Sequence, residues 1–460
     1  MSAALDAELL AIVSQSVEAQ LGLHYPPERW SDLERGLRGA AKELGFECVE
    51  KCARELVLAK LERAQIEALA THLTIGETYF FREPAAFAAL VSQILPALAQ
   101  SRRSGTRRLR IWSAGCCTGE EPYSVAIALR QAIPDVDDWQ ITILGTDINP
   151  RFLHKAAAGV YGEWSFRGVP EETRSAWFRP VPERRFEILP SVRKMVTFAC
   201  LNLVEDVYPS LANDTNAMDL IFCRNVMMYF SREQMRNVVA KFHRSLVDGG
   251  ALLVSATEGA REQLLEFTPG GISGIAMYRK GAPVPRPAMI APVPSLVPAR
   301  VPEPSPRPPV MQSPPLPPLP AIPPPPSAPP PDHAAEARRL ANEGKLSEAL
   351  AACELALAAD RLVAAHHYLR GAILQEQSAF DEATAAFKRA LYLDPDFAIA
   401  HFTLGHLQQR QGRDREAARS FANARSLVGK CAANSVLPES DGITAGRLLA
   451  ILDSMEEAFA

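Results

Sequence analysis

The spacing of apolar residues divides much of the chain into stretches of different pattern. From Leu5 to about Ala70, apolar side chains recur every three or four residues, which is the period of amphipathic helices. This pattern predicts a helical domain over residues 1–90. Between residues 107 and 281, short apolar runs of strand length alternate with amphipathic helical segments. Such alternation predicts an α/β doubly wound, Rossmann-like sheet, which we assign to residues 91–281.

The alternation loosens over about residues 160–193. This segment is rich in aromatic and basic residues, among them Trp164, Arg167 and Trp177. We expect an inserted subdomain there, whose side chains serve either internal packing or the docking of a protein partner.

A proline-rich segment follows the predicted sheet domain. Residues 283–331 contain 23 of the 38 prolines of the chain. A segment of this composition cannot form a core, so it predicts a stiff linker over residues 282–332. A docking site for proline-binding modules is the weaker alternative.

An internal repeat follows the linker. The pair Glu348-Ala349 recurs as Glu382-Ala383 and as Glu416-Ala417, which is a period of 34 residues. This period resembles the tetratricopeptide repeat and predicts α-helical pairs over residues 333–430, with a capping helix in the tail, residues 431–460. Because such arrays bind peptides or self-associate, we expect an unidentified protein or peptide partner.

Composition restricts the function classes. The 460 residues are 47% apolar and 22% charged, with a net charge of −4, which is typical of soluble proteins and gives no drive toward nucleic acid. No secretory signal is evident, and charge interrupts every apolar run before the roughly 20 residues of a membrane span, so we expect no membrane insertion. The eight cysteines lack metal-site or disulfide spacing, which favours a cytoplasmic protein without a bound metal.

The most informative loop lies between Arg110 and Ser124, where a short apolar strand leads through small residues into a helix. Gly115 and Gly119 allow a ligand to approach the backbone. Glu120 and Glu121 place negative charge where a phosphate normally binds a helix N-terminus. The loop therefore favours a ligand with a ribose, an amine and a sulfonium cation, such as S-adenosylmethionine. A dinucleotide dehydrogenase is a distant alternative, because the loop lacks GxGxxG.

Three further strand ends carry polar residues that converge at one edge of a doubly wound sheet. Asp147 suits ribose hydroxyls, Asn202 with the Leu203 backbone suits an adenine edge, and Asn225 ends an apolar strand where reacting groups usually lie. Taken alone, Asp147 fits equally well with capping of the next helix, and Asn225 with satisfaction of loop backbone groups; together and in order, the segments favour a ligand site. We interpret Cys116 and Cys117 as small residues that fit the loop. Nearby acids raise the pKa of a thiol and so disfavour a nucleophilic role.

The motifs ETYFFRE, IWSAGCCTGEEPYS, TDI, NL and FCRNVMMYF occur in this order. Over residues 8–280 the chain thereby resembles the CheR-type chemotaxis protein-glutamate O-methyltransferases. The resemblance implies S-adenosylmethionine as donor, S-adenosylhomocysteine as product, and glutamate carboxylates of chemoreceptor cytoplasmic domains as acceptors. With Gly115 from the loop, the expected cofactor contacts are Gly76, Thr78, Arg82, Gly115, Glu121, Asp147, Asn202, Leu203, Asn225 and Val226.

One of these positions departs from the family pattern. The family often has asparagine where this chain has Gly76, so only the backbone of Gly76 can contact the cofactor there.

The acceptor glutamate needs no general base, because a glutamate with a pKa near ~4.3 is already ionised at neutral pH. Arg82 and Tyr229 are the candidates for holding it. The alternative is a signalling scaffold that binds S-adenosylmethionine or its product with little turnover.

Overall fold

The structure is a computed structural model that describes residues 5–58, 61–103, 107–258, 264, 266–281 and 332–457. Two compact units are distinguished, one formed by residues 1–281 and 333–460 and the other by residues 282–332. The predicted proline-rich linker lies almost entirely outside the described residues.

The N-terminal region is helical, as its apolar period predicts. Its helices are α1 Ala7–Leu21, α2 Trp30–Glu43, α3 Val49–Leu58 and α4 Arg63–Leu73. Their apolar stripes meet in one cluster, in which Val13, Leu33, Leu37 and Leu69 are fully buried. This burial of one stripe per helix is the source of the periodicity in the sequence.

The central element is a mixed seven-stranded sheet, which agrees with the predicted doubly wound class. Its strands are β1 Arg108–Ala114, β2 Gln140–Asp147, β6 Val196–Cys200, β7 Met218–Phe222, β8 Leu246–Leu253, β9 Thr268–Pro269 and β10 Met277–Arg279. The spatial order is β6-β2-β1-β7-β8-β10-β9, with parallel pairing from β6 to β8 and antiparallel pairing at the β10 and β9 edge. The chain leaves β1 for β2 on one side, while β7 lies on the other side. Ligands bind at such a reversal, outside the carboxyl ends of the strands.

Helices cover this sheet. They are α5 Pro84–Ala89, α6 Leu95–Arg102, α7 Glu120–Ala132, α8 Pro150–Ala158 and α11 Arg232–Ser245, with a π-helical turn at Leu90–Ile94 joining α5 to α6. The sequence pattern predicted that the helix before β8 runs through Val247. It ends at Ser245 instead, because Leu246 already pairs with Met218 of β7.

The helical stretch Pro84–Arg102 corrects the expectation that no segment is long and apolar enough to span a membrane. Among the described residues it meets that criterion by length and composition. Its residues Phe87, Leu90, Ile94 and Leu95 pack into the core beneath the sheet. Packing of this kind accounts for the apolar character of the stretch.

The region of residues 160–193 forms a separate three-stranded antiparallel sheet. Its elements are β3 Val160–Gly162, α9 Glu171–Trp177, β4 Phe178–Val181, β5 Arg185–Ile188 and α10 Pro190–Arg193. Phe166 stacks on Phe80 and Phe178 packs edge-on against it, with ring centroids 5.1 and 4.7 Å away, whereas Trp164 is 73% exposed. The aromatic residues of this segment therefore divide between packing and surface.

The C-terminal region contains three helix pairs and one further helix. They are α12 His333–Asn342 with α13 Leu346–Ala359, α14 Ala364–Glu376 with α15 Phe380–Leu393, α16 Ala398–Arg410 with α17 Asp414–Val428, and α18 Ala445–Glu457. A Cβ atom at Gly371 or Gly405 would lie 2.6 Å from the ring of Phe387 or Phe421, respectively. The repeated glycine is thus required for close packing within a pair.

Candidate cofactor and active site

A single cleft lies at the carboxyl ends of the central strands. Including the open solvent at its mouth, the cleft has a volume of about 1020 Å³. The structure brings nearly all of the predicted site residues together on its wall, namely Thr78, Arg82, Gly115, Glu121, Asp147, Asn202, Leu203, Asn225, Val226 and Tyr229. Five chain segments, far apart in sequence, therefore meet at one place.

Gly76 is the exception among the predicted residues. It does not line the cleft, and a Cβ atom at this position would lie 2.6 Å from the ring of Phe152. Phe152 itself contributes to the wall. Glycine at this position is explained by that close packing, and the structure does not place the Gly76 backbone at the cleft.

The loop after β1 is hydrogen-bonded to the end of the neighbouring strand β2. The backbone N–H groups of Gly115 and Cys116 both donate to the carbonyl of Thr146, at 2.7 and 2.8 Å. Gly115 has φ +78°, and a Cβ atom there would lie 2.4 Å from Val226. Only glycine combines this left-handed backbone with so close an approach.

The two acids of the loop have different surroundings. Glu120 is 1% exposed and accepts hydrogen bonds from Thr118 and Ser165 at 2.6 and 2.9 Å, so it faces the protein. Glu121 lines the cleft and accepts a hydrogen bond from Ser113 at 2.8 Å. Burial raises the pKa of Glu121, although the nearby Arg224 opposes the shift. Of the two charges predicted for the loop, one faces the ligand site.

Arg224 is a site residue that sequence reasoning missed. Its side chain is 3% exposed and pairs with Glu121 and Glu83, each at 3.2 Å. It also donates to the carbonyl of Arg82 at 2.7 Å. The residue stands inside a quoted motif, yet its partners come from distant segments, so no local signal marks its role. It ties the ETYFFRE segment to the N-terminus of α7.

Asp147 ends β2 with a fixed carboxylate. One oxygen accepts the N–H of Cys117 at 2.8 Å and the other accepts the N–H of Asn149 at 2.9 Å. Burial raises the pKa of Asp147 to about 6, against the effect of these backbone donors. Each carboxylate oxygen retains a second lone pair for a ligand hydroxyl.

Asn202 and Leu203 connect the cleft to the N-terminal helices. The Asn202 amide donates to the carbonyl of Gln20 at 2.7 Å and accepts the N–H of Val204 at 3.3 Å. The Leu203 carbonyl accepts from Lys241 Nζ at 2.8 Å. One amide hydrogen and one lone pair of Asn202 thus remain for a ligand. Leu21 and Leu23 of the N-terminal region also line the cleft, which the sequence did not indicate.

Asn225 provides the clearest unsatisfied group in the cleft. It has φ +60°, and its N–H donates to the buried Glu258 at 2.7 Å. Its side-chain Oδ1 is buried and has no hydrogen-bond partner among the described residues. A buried acceptor of this kind costs free energy unless a ligand satisfies it.

Arg82 and Tyr229 lie on the same wall. Arg82 donates to the carbonyl of Glu77 at 2.7 Å, and its guanidinium lies 5.8 Å from the Tyr79 ring centroid. Tyr229 is held by its carbonyl, which accepts the N–H of His24 at 2.8 Å. Burial raises the pKa of Tyr229, while Arg29 and Arg82 oppose the shift. Tyr229 is therefore a neutral hydroxyl donor at physiological pH.

The two adjacent cysteines of the loop are held as thiols, which disfavours a nucleophilic role. Burial raises the pKa of the Cys117 thiol to about 12 and that of Cys116 well above its usual value, with Asp147 adding to both shifts. Within the described residues no group of three or more His, Cys, Asp or Glu side chains is arranged to hold a metal ion. The cleft offers carboxylates, amides and the two arginines Arg82 and Arg224 to a ligand.

The donors and acceptors fit S-adenosylmethionine. Asp147 and Glu121 supply anionic oxygens for hydroxyl and amine donors, and the unpaired Oδ1 of Asn225 awaits a donor. The absence of a side chain at Gly115 lets Val226 pack directly against the loop backbone at the cleft wall. Two acids and no phosphate-binding glycine motif disfavour a pyrophosphate.

Comparison with known proteins agrees with this chemistry. Residues 76–269 match the family model described as CheR methyltransferase, SAM binding domain, and residues 371–412 match a TPR repeat model. The probable chemotaxis protein methyltransferase of Rhizobium etli is 37% identical over 44% of this chain and 75% of its own length. The probable biofilm formation methyltransferase WspC of Pseudomonas aeruginosa is 33% identical over 68% of this chain and 76% of its own length.

Two similar solved structures each match a minor part of the chain. The type III secretion translocator chaperone SycD of Yersinia enterocolitica is 17% identical, with a TM-score of 0.24 over 27% of this chain and 86% of that chain. MamA from Desulfovibrio magneticus RS-1 is 23% identical, with a TM-score of 0.21 over 22% of this chain and 57% of that chain. Scores this low support no inference about this chain.

The family assignment follows from the sheet, the cleft and the relatives taken together. The identity to the Rhizobium etli protein extends over three quarters of that relative, and the matched family model contains nearly the whole cleft wall, from Thr78 to Tyr229. The repeat model matches within the second and third helix pairs. The chain belongs to the CheR family of chemotaxis protein methyltransferases and carries a C-terminal tetratricopeptide-repeat region.

Proposed function

We propose that the chain transfers a methyl group from S-adenosylmethionine to glutamate side-chain carboxylates of chemoreceptor cytoplasmic domains. The products are glutamate methyl esters, which serve chemosensory adaptation, and S-adenosylhomocysteine. The observation that carries the proposal is the convergence of the family's motif residues on one cleft at the carboxyl ends of β1, β2, β6 and β7. Relatives named chemotaxis protein methyltransferase support the same reaction class.

Each cofactor contact has a role that follows from its chemistry. Asp147 accepts the ribose hydroxyls, Asn202 and the Leu203 backbone read the adenine edge, and Glu121 accepts from the amine end. Thr78, Gly115, Asn225 and Val226 complete the wall. When bound, S-adenosylmethionine supplies an electrophilic methyl group. The reaction needs no metal.

The residues that act on the acceptor are Arg82 and Tyr229. The acceptor glutamate is already ionised at neutral pH, so the protein has to desolvate and align it rather than deprotonate it. Arg82 offers a cation, and Tyr229, whose raised pKa keeps it protonated, offers a hydroxyl donor. Orientation of two reactants can contribute on the order of 7 kcal/mol to the barrier reduction.

The partners follow from the same assignment. Chemoreceptor cytoplasmic domains are the acceptors, which places the reaction in the cytoplasm. The repeat region binds a further protein or peptide or regulates the enzyme, and no nucleic acid or membrane insertion is involved.

The test is transfer of a labelled methyl group from S-adenosylmethionine to a purified receptor cytoplasmic fragment. We expect label in the receptor that mild base releases as methanol, because carboxyl methyl esters are base-labile. A receptor fragment with its acceptor glutamates changed to alanine is the matched control. Tight binding of S-adenosylhomocysteine without transfer would instead identify a signalling scaffold and contradict the proposal.

A further inference from the structure

One face of the repeat region is covered by the chain's own sheet domain. The covering segment is residues 205–217, part of the connection from β6 to β7, and the repeat helices joined to the sheet domain are α12, through Asn342, and α14, through Glu376. Leu211 packs against both apolar clusters of the repeats. The N–H of Ala217 donates to the carbonyl of Asn342 at the end of α12, at 3.2 Å. Backbone and apolar contacts thus join the two regions.

A buried charge cluster lies at the centre of this contact. Glu376, at the end of α14, accepts two hydrogen bonds of 3.0 Å from Arg110 and is also bonded to Arg108. The side chains of Arg110 and Glu376 are 3% and 6% exposed. Arg110 also donates to the carbonyl of Asp214 in the covering segment at 2.8 Å. Breaking a buried pair of this kind leaves an uncompensated charge, so loss of one partner is strongly destabilising.

The opposite end of the contact reaches the ligand cleft. Ser210 of the covering segment donates to Asp441 at 2.8 Å, and Arg338 of α12 lies 3.3 Å from the same carboxylate. Arg447 of α18 pairs with Glu205 and donates to the carbonyl of Cys200 at 2.8 Å. Cys200 immediately precedes Leu201, Asn202 and Leu203, all of which line the cleft. The C-terminal region therefore supports the wall of the cleft from outside, through its last helix, α18.

Arrays of stacked helix pairs bind extended segments along a continuous surface. Here the repeats contact Leu211, and their carboxylate Glu376 faces two arginines.

We propose that the repeat face formed by α12 and α14 is the binding site for the chain's own sheet domain, through segment 205–217 and the β1 arginines Arg108 and Arg110. We propose further that this docking, with the contacts of Arg447 in α18, holds the Leu201–Leu203 wall in its ligand-binding position. Undocking weakens cofactor binding, and by reciprocity bound cofactor favours docking. The cofactor part of the proposal rests on the proposed function, whereas the docking part does not.

The first experiment tests docking without any ligand. A protease site is placed in the linker of the full chain, and the cut protein is analysed by size-exclusion chromatography. We expect the two pieces to co-elute. In the variant Glu376→Lys, which places a third cation beside Arg108 and Arg110, the pieces should separate. The control Glu382→Lys changes an exposed carboxylate of α15 and should leave co-elution intact. Separation of the wild-type pieces would overturn the proposal.

The second experiment measures the dissociation constant of S-adenosylhomocysteine by calorimetry on uncut chains. Glu376→Lys should raise it about tenfold, within the range usual for coupling between sites, while Glu382→Lys should not change it. Arg447→Ala removes the contacts to Glu205 and Cys200 without stranding a buried charge, so it tests the same coupling in a fold that keeps Glu376. It should also raise the dissociation constant. Unchanged affinity in both Glu376→Lys and Arg447→Ala would overturn the coupling.

The two proposals fail in distinguishable ways. If the wild-type chain binds no S-adenosylhomocysteine but its cut pieces co-elute, the proposed function fails together with the coupling, and the docking stands. If it binds the product normally and the pieces separate, the docking fails and the proposed function stands.

Discussion

Asp147 is the residue whose ionisation should control ligand binding most directly. Burial raises its pKa to about 6, so the carboxylate is charged at neutral pH and becomes protonated as the pH falls through that value. A protonated carboxyl accepts hydroxyl donors less strongly than a carboxylate does. We therefore predict that the affinity for S-adenosylhomocysteine is constant above pH ~7 and declines as the pH falls through about 6.

The variant Asp147→Asn tests whether Asp147 is the group that titrates. It should bind S-adenosylhomocysteine at least about tenfold more weakly at neutral pH, because a charge-assisted hydrogen bond contributes ~1.5–3 kcal/mol. Its affinity should be flat across the pH range in which the wild type changes. The control is Asp137→Asn, since that carboxylate is 69% exposed and remote from the cleft. A pH profile retained in Asp147→Asn would assign the titration to another group.

The variant Arg82→Ala should distinguish an effect on methyl transfer from an effect on receptor binding. Because Arg82 lies on the cleft wall beside Tyr229, Arg82→Ala should lower the methylation rate or weaken donor binding while receptor binding stays near wild type. A loss of alignment by about 1 Å typically costs on the order of 10²-fold in rate. Steady-state methylation and receptor pull-down measure the two effects. The exposed Arg415→Ala is the control, and wild-type methylation by Arg82→Ala would contradict the role.

Arg224 should matter for stability as well as for the site. Arg224→Met leaves Glu121 without its cation, and breaking a buried ion pair costs about 3–5 kcal/mol of unfolding free energy. Urea unfolding measures the change. Arg130→Met removes a pair with the exposed Asp137, which should contribute only about 0–1 kcal/mol. Equal losses in the two variants would contradict the assigned role of Arg224.

At the scale of secondary-structure elements, the β1–α7 loop depends on one glycine. Gly115→Ala should abolish measurable binding of S-adenosylhomocysteine, because the new Cβ would lie 2.4 Å from Val226 in a backbone with φ +78°. Gly168→Ala is a matched control, since Gly168 has φ +79° and nothing lies within 4 Å of its added Cβ. Both variants lose about 1 kcal/mol to the left-handed backbone. Calorimetry should find binding in the control, and normal binding by Gly115→Ala would show that the loop tolerates the clash.

The helices and strands of the sheet domain were largely predictable from sequence. Each helix buries one apolar face and each strand a short apolar run, and both patterns are visible in the sequence. The exception at Val247 arises from pairing with β7, which no local pattern encodes. Most of the cleft was predictable because its residues end predicted strands, as Asp147 and Asn225 do. Arg224 was not, since its importance depends on Glu83, which is distant in sequence. Neither was the close packing of Gly76 on Phe152.

At the scale of the whole molecule, the sequence predicts modules but not the contacts between them. The 34-residue period indicates how helices pack within the repeats. The Arg110 and Glu376 pair joins residues 266 positions apart, and nothing in that period indicates it. The docked repeats therefore add a structural property, support of the Asn202 wall, to the binding role expected of such arrays.

The assignment of the acceptor is the central claim. The most direct test is to incubate the enzyme, S-adenosylmethionine and a receptor cytoplasmic fragment, and then to locate the added methyl groups by peptide mass spectrometry. We predict methyl groups on glutamate side chains that mild base removes, and none when Asp147→Asn replaces the wild type at limiting donor concentration. Base-stable methyl groups on lysine or arginine, or a receptor that stays unmodified while the enzyme binds S-adenosylhomocysteine, would contradict the account.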